Sequence, residues 1–143
     1  YERQFMSREP SNHDILVRFE SLMDNYFTHG KAQQYGLPTV KYCAGELCLS
    51  PGYFGDLIKK ETGKSAQTYI QQKVIDVAKE LILNPAKSIS QVAYELGFQY
   101  PQHFTRLFKK IVGQTPNEYR TQGRGYFSLT SFKIFINSMT LSL

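Results

Sequence analysis

The sequence predicts an all-α protein built as two helix-turn-helix units joined by a linker helix. Apolar residues recur at helical spacing along most of the chain, and capping residues and prolines interrupt the pattern at regular intervals. One segment is also written twice. "LIKKETGKSAQTY", residues 57–69, returns as "LFKKIVGQTPNEY", residues 107–119, at a constant offset of 50.

Taken in order, "YERQFMSREP" (1–10) is polar, ends in proline and reads as a linker from a preceding domain. "SNHDILVRFESLMDNYF" carries Ile15, Leu16, Phe19, Leu22, Met23, Tyr26 and Phe27 as a helical stripe. Ser11 or Asn12 is its N-cap, and Gly30 lies just past its end. "HGKAQQYGLP" reads as a loop. Pro38 or Thr39 opens the next helix, with Val40, Cys43, Ala44 and Leu47 facing inward. At "CLSPG", Ser50 followed by Pro51 is an N-cap with proline at the first helical position. Tyr53, Phe54, Leu57 and Ile58 bury that helix, and Gly63 ends it.

Ser65 opens the linker helix, which presents Ile70, Val74, Val77, Ala78 and Leu81 on one face and stops at Asn84-Pro85. The earlier pattern then returns. Ser88 caps "ISQVAYEL", Gly97 makes a turn, and "YPQHFTRLFKKIV" runs to Gly113. Thr115-Pro116 starts a short helix through Tyr119. The expected organisation is a linker (1–10), a first helix-turn-helix subdomain with the linker helix (11–84), a second subdomain (85–122) and a tail (123–143) whose pattern fixes no structure.

The repeat extends beyond the quoted pieces. Ala44, Leu47 and Leu49 match Ala93, Leu96 and Phe98 at an offset of 49, and Phe54 matches Phe104 at 50, so the second turn holds one added residue. Two copies are too few for a solenoid. Each copy is instead helix, short turn, helix, whose second helix suits a DNA major groove. The alanines let the two helices cross closely. Gly97 fits a turn position with positive φ, and Cys48 fills the same place in the first copy at a steric disadvantage.

Charge supports a polyanionic partner. The net charge is +5, yet residues 1–37 carry four basic and five acidic side chains and residues 38–98 carry seven and six. Residues 99–143 carry six and one, so the surplus lies in the last third. Cys43 and Cys48 are five apart on what reads as one helix, and are expected to be small buried thiols in a reducing compartment rather than a disulfide or metal pair. No apolar run is long enough to span a membrane, which points to a cytoplasmic protein with no membrane partner. No metal and no cofactor are expected. Catalysis is not expected either, because three scattered histidines give no nucleophile with its base and orienting group.

The second helix of each unit carries the candidate site. In the later copy Phe104, Leu107, Phe108 and Ile111 take the buried face, which leaves Gln102, His103, Arg106 and Lys110 outside. Glutamine can pair with adenine and arginine with guanine, so Gln102, His103 and Arg106 are candidate base readers. Their counterparts in the first copy are Gly52, Tyr53 and Asp56, a weaker reading set. Lys59, Lys60, Lys109 and Lys110, with the helix starts at Ser65, Ser88 and Thr115, are candidate phosphate contacts. A linker helix of some 20 residues would span about 30 Å. Successive major-groove faces recur about every 34 Å, so one chain could carry two reading heads.

Residues 11–122 resemble the DNA-binding domain of the AraC/XylS family of bacterial transcription regulators. The resemblance rests on "SISQVAYELGFQYPQHFTRLFKKIVGQTPNEYR" (88–120), supported by "LSPGYFGDLIKKETGKS" (49–65). It implies about seven helices in two helix-turn-helix units and sequence-specific binding of double-stranded DNA. It also implies RNA polymerase as a further partner and a sensing or dimerising domain ahead of this one. The fragment alone is then expected to be monomeric, and the full protein dimeric through that domain. The alternative is a helix-turn-helix domain used as a protein-interaction module.

Overall fold

A computed structural model of the chain describes residues 11–123. The expected linker at 1–10 and the tail from 124 onward lie outside the described residues. Among those residues all regular structure is helical: α1 Asn12–Thr28, α2 Lys31–Tyr35, α3 Val40–Glu46, α4 Pro51–Thr62, α5 Ala66–Ile82, α6 Ile89–Glu95, α7 Pro101–Val112, and α8 over residues 116–123. The chain forms two compact units, one ending at Val74 and the other beginning at Ile75, so the division falls within α5.

Most of the helices start where a side chain can satisfy their first free N–H groups, whereas α2 after Gly30 and α7 after Tyr100 have no side-chain cap. Ser11 and Asp14 form a reciprocal capping box, with Asp14 N–H donating to Ser11 Oγ at 3.1 Å and Ser11 N–H donating to Asp14 Oδ2 at 3.2 Å. Thr39 accepts from Tyr42 N–H at 3.0 Å, Ser50 from Tyr53 N–H at 3.2 Å, and Ser65 from Thr68 N–H at 3.1 Å. Ser88 and Gln91 form a second capping box. Gly63 and Gly113 end α4 and α7 in the left-handed region, at φ 77° and 89°.

In the first unit α1 packs on α4, where Phe19 meets Phe54 edge-on at 5.0 Å between ring centres. Both are fully buried, together with Met23 and Ile58. Burying side chains of this size contributes about 1.5–3 kcal/mol each. Tyr69 at the start of α5 leans on Phe19 and donates its hydroxyl to Glu20 of α1, and Lys73 Nζ lies 3.4 Å from the same carboxylate. The tyrosine bond, with a smaller contribution from the lysine charge, holds the Glu20 carboxyl below its ordinary range against the opposing effect of burial.

The second unit centres on Phe104 and Phe108 of α7, both fully buried, with Phe98, Val92, Ala93 and Leu96 around them. Tyr119 of α8 stacks edge-on against Phe108 at 5.5 Å. Arg120 ties α8 to the chain between α5 and α6. Its Nε donates to the Ile82 carbonyl at 2.7 Å, and its terminal nitrogen to the carbonyls of Lys87 and, at 3.4 Å, Asn84. One guanidinium thereby satisfies the last carbonyl of α5 and reaches two carbonyls of the connection to α6.

Three expectations are corrected. "HGKAQQYGLP" is not a plain loop, because Lys31–Tyr35 forms a short helix. It buries Ala32, and Tyr26 of α1 donates its hydroxyl to the Gly36 carbonyl just beyond it at 2.7 Å, closing the segment onto α1. The linker helix is 17 residues, shorter than expected, at about 26 Å. It buries Ile75 and Ile82 as well as Ile70, Val74 and Ala78, while Val77 and Leu81 are only partly covered. Finally, only Cys43 is a buried thiol. Burial pushes its pKa up to about 12, with a smaller push from the Glu46 charge. Cys48 is exposed and lies past the end of α3.

Candidate nucleic-acid interface

The two turns that position the candidate site are the same structure built twice. In the first, Leu49 N–H donates to the Ala44 carbonyl at 2.9 Å and Cys48 N–H to the Gly45 carbonyl at 3.0 Å. In the second, Phe98 N–H donates to the Ala93 carbonyl at 3.0 Å and Gly97 N–H to the Tyr94 carbonyl at 3.1 Å. This pair of crossed bonds is a Schellman motif, which closes a helix through one left-handed residue. That residue is Gly97 at φ 97° in one unit and Cys48 at φ 59° in the other, where Cys48 is the non-glycine with positive φ among the described residues. Both turns then deliver a helix that starts with proline at its first position, Pro51 in α4 and Pro101 in α7.

The face each second helix presents follows from what it buries. In α7, Phe104 and Phe108 are buried and Leu107 and Ile111 partly so, which leaves Gln102, His103, Arg106, Lys109 and Lys110 exposed. Gln102, His103 and Arg106 share one outer face at spacings of one to four residues, and the lysines fall in the last turn. In α4, Phe54, Leu57 and Ile58 are buried, and Gly52, Tyr53 and Asp56 are exposed, with Lys59 and Lys60 in the last turn. The expected readers of each unit are therefore together on an open face of their own helix.

The three helix starts offered as phosphate contacts differ in what they leave available. Ser65 and Ser88 are exposed, and each has its hydroxyl oxygen taken by the N–H three residues on, from Thr68 at 3.1 Å and Gln91 at 3.0 Å. A phosphate oxygen there would meet the remaining backbone donors. Thr115 is partly buried and donates its hydroxyl to Glu118 Oε1 at 3.0 Å. A carboxylate thus already occupies that helix start, and a phosphate would meet its charge.

Two exposed aromatics stand at the leading ends of α4 and α7. Tyr53 was expected as a candidate reader but also as one of the residues that bury α4, and at 49% exposed it does not bury that helix. Tyr100 was not expected, although it directly precedes Pro101 and is 48% exposed with its ring edge-on to His103. The available signal was a capping position filled by a residue that does not cap. Among the described residues no cluster of histidine, cysteine and carboxylate could hold a metal ion, and no helix is long and apolar enough to cross a membrane.

The sequence profile of a helix-turn-helix domain matches residues 43–122, more than half of the chain and both turns. YesN, a transcriptional regulatory protein of Bacillus subtilis, is 34% identical over 99 residues, covering 66% of this chain and 27% of that protein. The arabinose operon regulatory protein of Escherichia coli is 32% identical over 77 residues, 54% of this chain and 26% of that protein. The chain thus spans about a quarter of the length of these two relatives. Among solved structures, the C-terminal domain of the two-component response regulator yesN from Fusobacterium nucleatum is similar at a TM-score of 0.58 and 30% identity, over 71% of this chain and 96% of that one. The matched residues include both turns and the proline-initiated helices that follow them; the chain belongs to the helix-turn-helix domain family, as a DNA-binding domain of the AraC/XylS type.

Proposed function

We propose that this domain reads a specific duplex sequence with α4 and α7 in successive major grooves, and that the whole protein is a bacterial transcription regulator. The carrying observation is the twin turn, which presents two second helices built alike from one chain. The arrangement removes the need for a dimer, so the domain alone binds as a monomer. Direct readout rests mainly on α7, through Gln102, His103 and Arg106, because α4 offers glycine, tyrosine and aspartate at the matching places. Lys59, Lys60, Lys109 and Lys110, with the helix starts at Ser65 and Ser88, fix the register on the backbone. Thr115 is the weakest of these contacts, since Glu118 stands beside it.

In the whole protein a preceding domain would supply dimerisation or sensing, and RNA polymerase would be the protein partner. This reading places the protein in the bacterial cytoplasm and assigns it no catalysis. Hydroxyl-radical footprinting of the monomer on a duplex selected from a random pool tests it. Protections recurring at about 10 base pairs on one face of the duplex are expected. One short protected patch, or a requirement for a dimer, would overturn the two-headed reading. Failure to select any duplex would leave the protein-interaction reading in its place.

A further inference from the structure

The two reading helices begin differently. Before Pro51 stands Ser50, whose hydroxyl accepts from Tyr53 N–H at 3.2 Å. Before Pro101 stands Tyr100, in extended N-cap geometry at φ −128° and ψ 125°, with no side-chain bond to the helix start. Serine is among the strongest N-caps and tyrosine is not one of them. The second unit therefore forgoes a cap that the first unit uses at the corresponding place. Burial does not account for the tyrosine, because its ring is 48% exposed. Departures from local rules of this kind concentrate at functional positions.

The ring's placement indicates its role. It meets the His103 ring edge-on, 5.4 Å between centres at 77°, beside the outer face of α7. It thus lies at the leading end of the helix, where a helix docked in a major groove touches base edges. The one apolar feature of that groove is the 5-methyl group of thymine, which apolar and aromatic side chains contact.

We infer that Tyr100 is a specificity-determining residue that reads thymine through its 5-methyl group. The inference rests on α7 acting as a base-reading helix. The test begins with a duplex selected from a random pool by the unaltered chain, followed by single replacement of each thymine with deoxyuridine, which removes only the methyl. At one or more positions affinity should fall roughly three- to fivefold, as for one buried methyl group. Tyr100→Ser and Tyr100→Ala should lose that discrimination, and Tyr100→Phe should keep it. Tyr100→Ser should also melt at a higher temperature than Tyr100→Ala, because it regains the cap, which shows that lost readout is not lost folding. Thymine readout that is absent, or that survives Tyr100→Ala, overturns the inference. So does a Tyr100→Phe variant that weakens every duplex alike, which would make the hydroxyl a phosphate contact. If the unaltered chain selects no duplex, the reading of α7 itself fails; selection with readout independent of Tyr100 removes only the role given to this residue.

Discussion

Arg106 and Asp56 occupy the same place on α7 and α4 and carry opposite charge. Arg106→Ala should cost about 1–3 kcal/mol of binding and relax preference at one or two base pairs, as for loss of a bidentate contact to guanine. Asp56→Ala should leave affinity unchanged or raise it, since it removes a charge that phosphates repel. Titration of cognate and random duplexes separates the cases, and an equal loss on both for Arg106→Ala would reduce that residue to a backbone contact. Cys48 gives a stability prediction. A side chain at φ 59° is strained by its own backbone. Cys48→Gly should therefore raise stability by about 0.5–1 kcal/mol, read as a higher urea midpoint with an unchanged slope. Because Cys48 is exposed, the substitution leaves no cavity to offset the gain.

Between elements, the pairing of α1 with α5 through Glu20 and Tyr69 makes one end of the first unit sensitive to acid. The folded-state pKa of Glu20 is lowered, so its contribution is complete above the unfolded value and is lost as pH falls through the folded one. Tyr69→Phe should accordingly flatten the fall in stability between about pH 6 and pH 3, measured by urea unfolding at each pH. Much of this level was legible in the sequence. Caps at Ser11, Ser50 and Ser88 and stops at Gly63 and Gly113 fall where residue chemistry places them, because each satisfies orphan backbone groups locally. The exposed face of α7 was legible for the same reason, since burial of Phe104 and Phe108 at helical spacing decides which side chains remain outside. What escaped depends on contacts distant in sequence. Lys31–Tyr35 is too short to show a period and is held by Tyr26, ten residues before Gly36. Ile75 and Ile82 lie off the single stripe assigned to the linker helix, and a stripe cannot reveal that a helix changes units partway along. Tyr100 is invisible to periodicity because it precedes its helix.

For the molecule as a whole, the question is whether both heads engage one duplex. Each phosphate contact adds close to one unit to the slope of log affinity against log salt. Lys60→Ala in α4 and Lys110→Ala in α7 should each lower that slope by about one, and together by about two, with the loss shared by all sequences. A slope that responds to Lys110 alone would mean that the first head stands off the DNA. The single residue that distinguishes the two turns bears on what such a duplex looks like. Leu49 and Phe98 close their turns with matching bonds, and Pro51 and Pro101 open the helices that follow, but one residue separates the first pair and two separate the second. The chain bends at Gln99 and Tyr100, which Leu49 and Ser50 do not do before α4, so the two helices are not entered alike. With glycine, tyrosine and aspartate on one helix and glutamine, histidine and arginine on the other, a duplicated protein ends up with two dissimilar halves of a target. The site bound by one copy of the domain should therefore carry no tandem or palindromic symmetry within itself, and a repeated element in a target would mark a second copy of the chain rather than its second head.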